Sequence, residues 1–357
     1  MRAGLAPALA AGLLLGGAAP DSAAPPALTA RAESCAVSPS LSPADCAQIL
    51  RKLARFADAA YGDDPTATPP PDFHAAEIAG VSLRAGRYRN EAATALVMTA
   101  QLDKAPVLVV GFGGSDDPAT WLADLRDINA PYRQFRPLMG AVEAYAAARR
   151  KVLLVGHSFG GAMVQLFMFA HAGDDKYRAV TFGSPGALPQ AGVFAARADP
   201  RIANVVIADD PYVFLGEHRA ELATYARRNR IYALALASAI AHESGLSLAQ
   251  VVASEPHLTA NYVNNGSKII LSRHRSGLSV STVIGADPAE HEIGTYAARI
   301  DSAEGLPRAG GLSRLRARGV GQLRRRMLAT SPSRRHSLSM AVSNCLARLS
   351  MSRDPKP

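Results

Sequence analysis

A hydroxyl is a weak nucleophile at neutral pH, and it becomes a strong one only beside a base whose orientation is held by a third group. The clearest place for such a hydroxyl in this chain is Gly156-His157-Ser158-Phe159-Gly160-Gly161. The hexapeptide follows the apolar run Val152 to Val155 and precedes Ala162 to Met168, where apolar residues recur at helical spacing. Strand, Gly-x-Ser-x-Gly and helix in that order make a nucleophile elbow, a turn sharp enough to force its central residue into a strained backbone conformation. The flanking positions must then lack a side chain. Gly156 and Gly160 meet that need, and Ser158 is left exposed above the strand end.

A serine so placed needs an acid and a histidine further along the chain. Asn204 to Ala208 reads as a short buried strand running into Asp209-Asp210-Pro211, which sets two carboxylates at a strand's C-terminal end. Active sites of α/β proteins gather at that edge. Six histidines lie downstream: His218, His242, His257, His274, His291 and His336. His218 is too close to the acid, His242 falls inside a helical pattern, His274 sits between two arginines and His336 lies in a basic tail. His257 and His291 remain, each followed five residues on by a tyrosine, Tyr262 and Tyr296. Position alone separates neither these two histidines nor the two aspartates.

The elements around these residues alternate. Cys46 to Ala60 has a helical stripe of Ile49, Leu53, Phe56 and Ala60, with Ser42 before Pro43 as its N-cap. Thr94 to Ala100 and Pro106 to Phe112 read as a hairpin, Ala141 to Arg149 as a helix, and Ala179 to Phe182 as another buried strand. Glu217 to Ser254 is mainly helical, Asn261 to Arg273 reads as a last strand, and Glu290 to Ile300 as a closing helix. Strands interleaved with helices predict a mostly parallel central sheet with helices on both faces, which together with the elbow implies an α/β-hydrolase fold.

Four blocks resemble the class 3, or fungal-type triacylglycerol, lipases. They are VVGFGGSDDPATWLADL from Val109 to Leu125, VGHSFGGA from Val155 to Ala162, TFGSPG from Thr181 to Gly186, and NVVIADDPYVFL from Asn204 to Leu215. Their order and spacing agree with that family over about residues 90–300. The resemblance implies Ser158 as nucleophile, Asp210 as orienting acid and His291 as base. It also implies an oxyanion hole from the backbone N–H groups of Ser115 and Phe159, and a lid whose apolar face carries Trp121, Leu122 and Leu125. Three departures stand out: Gly113 replaces the family's arginine, Phe159 replaces a leucine, and the link from Arg126 to Lys151 is short.

Composition bounds the rest. The chain has 357 residues, 48% hydrophobic and 19% charged, enough for a sizeable core. Residues 1–24 read as a signal peptide for export, 25–43 as a linker, 44–304 as the hydrolase domain and 305–357 as a basic tail whose lack of sustained apolar periodicity predicts disorder. The tail holds 12 of the 39 Lys and Arg and a single acid, Asp354, so it carries +11 and residues 1–304 the remaining −2 of the net +9. It offers a surface to anionic membranes, and its lack of Phe, Tyr and Trp argues against nucleic-acid stacking. Cys35 and Cys46 lie close enough to pair, and no cysteine or histidine spacing suggests a metal. The expectation is a secreted or periplasmic serine ester hydrolase using no cofactor, with lipid or small-molecule ester substrates. The rival readings are a phospholipase, thioesterase or amidase on the same scaffold, and a non-catalytic protein that docks through the tail.

Overall fold

The computed structural model describes residues 37, 42–62, 67–102, 104–114, 127–148, 150–189, 199–254, 262–271 and 278–302. The expected signal peptide, most of the linker, Cys35, Ser115, Trp121, Leu122, Leu125, His257 and the tail lie outside these residues.

The first helix, α1 (Pro43–Tyr61), starts where Ser42 accepts the N–H of Asp45 and stops at Gly62, whose φ is +86°. The strands β1 (Phe73–Ala75), β2 (Arg87–Asn90), β3 (Ala93–Leu102) and β4 (Ala105–Phe112) follow. Helices α2 (Asn129–Gln134) and α3 (Arg136–Ala147) lead to β5 (Val152–His157), then α4 (Phe159–Ala170), β6 (Tyr177–Phe182), β7 (Leu188–Pro189) and β8 (Ile202–Ile207). Four helices come next: α5 (Pro211–Glu217), α6 (Arg219–Arg228), α7 (Arg230–Ser244) and α8 (Leu248–Ser254). The described chain ends with β9 (Tyr262–Val263), β10 (Ser267–Leu271), a 3₁₀ turn at Pro288–His291 and α9 (Ile293–Ser302).

The main sheet runs β1-β3-β4-β5-β6-β8-β10, with β2 also paired to β3. From β4 to β10 every pairing is parallel, and the β1–β4 end is antiparallel. This is the α/β-hydrolase class expected from the sequence. Strand alternation builds its two cores. Val152 and Leu154 face α3 and α4 with Leu138, Met163 and Phe167, whereas Leu153 and Val155 face α1 and α9 with Leu53, Phe56, Tyr296 and Ile300. With both faces covered, the central strands must be apolar throughout, as β5 and β8 are.

Helices α5 to α8 fill the connection from β8 to β10 and form a cap with a small core of its own. There Leu222, Tyr232 and Val283 pack with Phe214, Tyr225 and Leu278. On β8 the buried side chain of Asn204 ties the layers together. Its Oδ1 accepts from Gln165 at 2.8 Å and from Thr181 at 2.7 Å, and its Nδ2 donates to the carbonyl of Asn265 at 2.6 Å.

Three elements differ from expectation. The last strand divides into β9, which pairs antiparallel with β7 in a separate ribbon, and β10, which joins the main sheet. Between them Asn265 gives its N–H to Gln165 Oε1 at 2.8 Å, so it makes no ladder bond there. The closing helix begins at Ile293, because Asp287 caps a separate 3₁₀ turn and Glu292 is extended. The helix expected over 141–149 begins earlier, at Arg136, with Pro137 in its first turn.

Candidate active site

The elbow is built as its glycines require. Ser158 has φ 52° and ψ −125°, a region that only glycine occupies without strain. A Cβ on Gly156 would lie 2.3 Å from the carbonyl of Gly160, and one on Gly160 would lie 2.2 Å from the carbonyl oxygen of Phe112. The first would drive β5 from α4, the second α4 from the end of β4. The turn makes Ser158 the N-cap of α4, beside the N–H of Phe159, which has no acceptor within the helix. The positive end of the helix dipole therefore points at the serine.

Ser158, Asp210 and His291 meet at the C-terminal edge of the sheet. Ser158 Oγ lies 2.7 Å from His291 Nε2, and His291 Nδ1 lies 2.8 Å from Asp210 Oδ2. The carboxylate accepts only, so Nδ1 carries the ring proton and Nε2 is free to accept from the serine hydroxyl. Asp210 is almost wholly buried and fully partnered. Its Oδ1 caps α5 by accepting the N–H of Tyr212 at 2.8 Å and of Val213 at 3.1 Å, and its Oδ2 also accepts the Tyr296 hydroxyl at 2.6 Å. Asp209, one residue earlier, is half-buried on a turn and makes none of these bonds.

Four residues complete the site without having been assigned roles from sequence. Tyr296 comes from the first turns of α9, so the break at Glu292 lets His291 approach Asp210 from one side and Tyr296 from the other. Burial and the adjacent Asp210 carboxylate push the Tyr296 hydroxyl well above its ordinary pKa, keeping it a donor. The ring of Tyr212 stacks on His291 with centroids 4.3 Å apart. Gly183, at φ +56°, lets the backbone pass close by: a Cβ there would lie 2.9 Å from the Tyr296 hydroxyl and 3.2 Å from His291 Cε1.

The fourth is His157, buried against the catalytic edge. Its Nε2 lies 2.7 Å from the backbone oxygen of His291, which can only accept, so Nε2 bears the proton. Its Nδ1 then accepts the hydroxyl of Tyr61 at 2.8 Å. Burial, reinforced by the nearby His291 ring, lowers the His157 pKa to about 3, so the ring stays neutral. The only signal in the sequence for this group was the spacing of Tyr296 from His291. Nothing local pointed to Tyr61, 96 residues from its partner.

Of the other expected residues, Phe159 is buried in the core beneath the elbow. Ser115, Trp121, Leu122 and His257 lie outside the described residues. Cys46 is disulfide-bonded, its partner lying outside them too. Gly113 has a local reason: a Cβ there would lie 2.2 Å from Thr94 Oγ1 and 3.0 Å from the carbonyl oxygen of Ala60, so an arginine has no room. Among the described residues no cluster of His, Cys, Asp and Glu could hold a metal ion, and no helix is long and apolar enough to cross a membrane.

No family model and no curated protein matches this chain. Solved structures similar to it include fungal lipases. The Rhizomucor miehei lipase propeptide complex is 15% identical with a TM-score of 0.35, over 50% of this chain and 65% of that one. Lip2 lipase from Yarrowia lipolytica is 13% identical with a TM-score of 0.32, over 46% and 71%. Lipase II from Rhizopus niveus is 16% identical with a TM-score of 0.31, over 48% and 74%. This chain thus spans about two thirds of the first of these. Likenesses this remote carry no argument, and the fold rests on the strand order and the elbow described above.

Proposed function

We propose that this chain is an exported serine ester hydrolase that acts through an acyl-enzyme on lipid or small carboxylic esters. The observation that carries the reading is the continuous relay from Ser158 Oγ through His291 to Asp210. Ser158 Oγ attacks the ester carbonyl while His291 Nε2 takes its proton, and Asp210 stabilises the imidazolium and holds its orientation. The tetrahedral oxyanion is bound by the N–H of Phe159 and that of Ser115. The imidazolium then gives its proton to the departing alcohol, leaving an acyl ester on Ser158. Water enters and attacks the acyl carbon while His291 takes one of its protons, and the imidazolium returns that proton to Ser158 Oγ as the acid leaves.

The strain at Ser158 supports catalysis over a purely binding role. Holding a non-glycine residue in this conformation costs roughly 1–3 kcal/mol, a cost that brings a binding protein nothing. The hydrolase body in this reading runs from residue 44 to 304, behind an export signal and ahead of a basic appendage.

The test is hydrolysis of p-nitrophenyl esters from acetate to palmitate by the protein beside Ser158→Ala. Turnover should fall about 10⁴-fold or more in the variant, and the chain-length optimum would distinguish lipase from short-chain esterase. Equal background rates in both proteins would sink the ester reading and turn attention to amides and phospholipids.

A further inference from the structure

The outer surface of the cap is not that of an ordinary water-facing helix pair. Ile231 and Leu234 on α7 are 49% and 54% exposed, and Leu248 and Val252 on α8 are 38% and 54% exposed. Among the described residues only one other large apolar side chain, Phe169, is as open. The inner side of α7 is anchored conventionally: Tyr232 packs into the cap core and its hydroxyl donates to the carbonyl of Val280 at 2.6 Å. A surface helix normally turns charged residues outward. Among the described side chains of α7, those exposed after Arg230 are Ile231, Leu234, Ser238 and His242.

Charge is concentrated at one end of this surface. Arg227, Arg228 and Arg230 are all exposed at the α6–α7 junction, and none is in an ion pair among the described residues. From residue 227 to 254 the only acid is Glu243. Cations within a turn of exposed aliphatic side chains are what a helix needs to settle into the headgroup region of an anionic bilayer.

We infer that the cap docks on an anionic lipid surface through Ile231, Leu234, Leu248 and Val252, with Arg227, Arg228 and Arg230 meeting the headgroups. Charge disfavours the other occupants. The 305–357 segment carries +11 and would be repelled by the three arginines, and a two-fold contact with the helices parallel would set the arginine clusters against each other. The cap leaves the sheet at the end of β8 and α5 packs against the turn that carries His291. Docking therefore engages the cap, an element that packs against the turn of His291. The choice of lipid as partner rests on the proposed esterase activity, but the docking itself does not require turnover.

The test uses the full chain and its inactive Ser158→Ala form, co-sedimented with phosphatidylcholine vesicles containing or lacking phosphatidylglycerol. Both forms should bind the anionic vesicles. Ile231→Ser with Leu234→Ser should weaken binding about tenfold or more. Arg227→Gln, Arg228→Gln and Arg230→Gln together should remove the preference for anionic over neutral vesicles. Both sets should hydrolyse p-nitrophenyl acetate, a soluble substrate, at the rate of the parent and melt within a few degrees of it. Undiminished binding in both cap variants, with loss on Arg324→Gln, Arg325→Gln and Arg326→Gln, would overturn the inference in favour of the tail. A dimer of the parent that dissociates on Ile231→Ser with Leu234→Ser would overturn it in favour of a second copy. Intact binding with no ester turnover would instead remove the esterase reading and leave the docking surface standing.

Discussion

The residue before the candidate nucleophile holds the loop of the candidate base: His157 Nε2 donates to the backbone oxygen of His291 at 2.7 Å, across 134 residues of chain. One hydrogen bond thus fixes the distance between the elbow and the turn that must supply its general base. The two imidazoles lie with centroids 4.8 Å apart, so a charge on both would be costly. A neutral His157 leaves the proton taken from Ser158 to His291 alone.

That neutrality makes a pH prediction. The His157 pKa is lowered from the ordinary 6.5 to about 3 in the fold. Between those values the unfolded chain takes up a proton that the folded one refuses. The contribution to stability is therefore present above pH 6.5 and is lost as pH falls toward about 3, at up to about 1.4 kcal/mol per pH unit. Urea unfolding of the parent and His157→Gln across this range should show the steeper decline in the parent. Parallel curves would mean that His157 titrates normally.

Relief of strain at the elbow should separate stability from activity. Ser158→Gly removes both the hydroxyl and the Cβ that makes φ 52° unfavourable. Turnover should vanish while stability rises by roughly 1–3 kcal/mol. Ser158→Ala, which keeps the Cβ, should be inactive without that gain. A Ser158→Gly protein no more stable than Ser158→Ala would show that the turn is unstrained.

Tyr296 acts on the reaction through Asp210. Tyr296→Phe removes the 2.6 Å donor to Oδ2 and leaves a buried acceptor with fewer partners. We expect a loss of about 1–2 kcal/mol of stability and a fall in kcat with KM nearly unchanged, because the hydroxyl touches the acid and not the substrate. A change confined to KM would place Tyr296 at the substrate pocket instead.

Arg219 is the opposite case, a buried charge with little to hold it. Its guanidinium stacks over the Tyr262 ring at 4.4 Å, and its NH1 has no hydrogen-bond partner. Burial pulls its pKa down to about 10. Replacing such a cation by an apolar side chain of similar length is often neutral or stabilising, so Arg219→Met should leave the melting temperature equal or higher. A drop of several degrees would show that the stacked cation holds β9 in place.

What the sequence determined by itself was local. The elbow at Ser158 was legible because strand, Gly-x-Ser-x-Gly and helix are contiguous, and the glycines are demanded by atoms within a few residues. The helix start at Ser42 and the β3–β4 hairpin were legible for the same reason, since capping and antiparallel pairing are short-range. Strands apolar on both faces announced a sheet covered on both sides. Tertiary structure decided what depends on distant partners. Whether Asp209 or Asp210 turns inward is set by the cap of α5 and by Tyr296, 86 residues away. The approach of His291 to Ser158 is set by a break at Glu292 and by the bond to His157. The division of the last strand follows from Gln165, 100 residues earlier, taking the N–H of Asn265. Hydrogen bonds and side-chain packing across such separations leave no periodicity in the chain, so only the folded arrangement brings them into view.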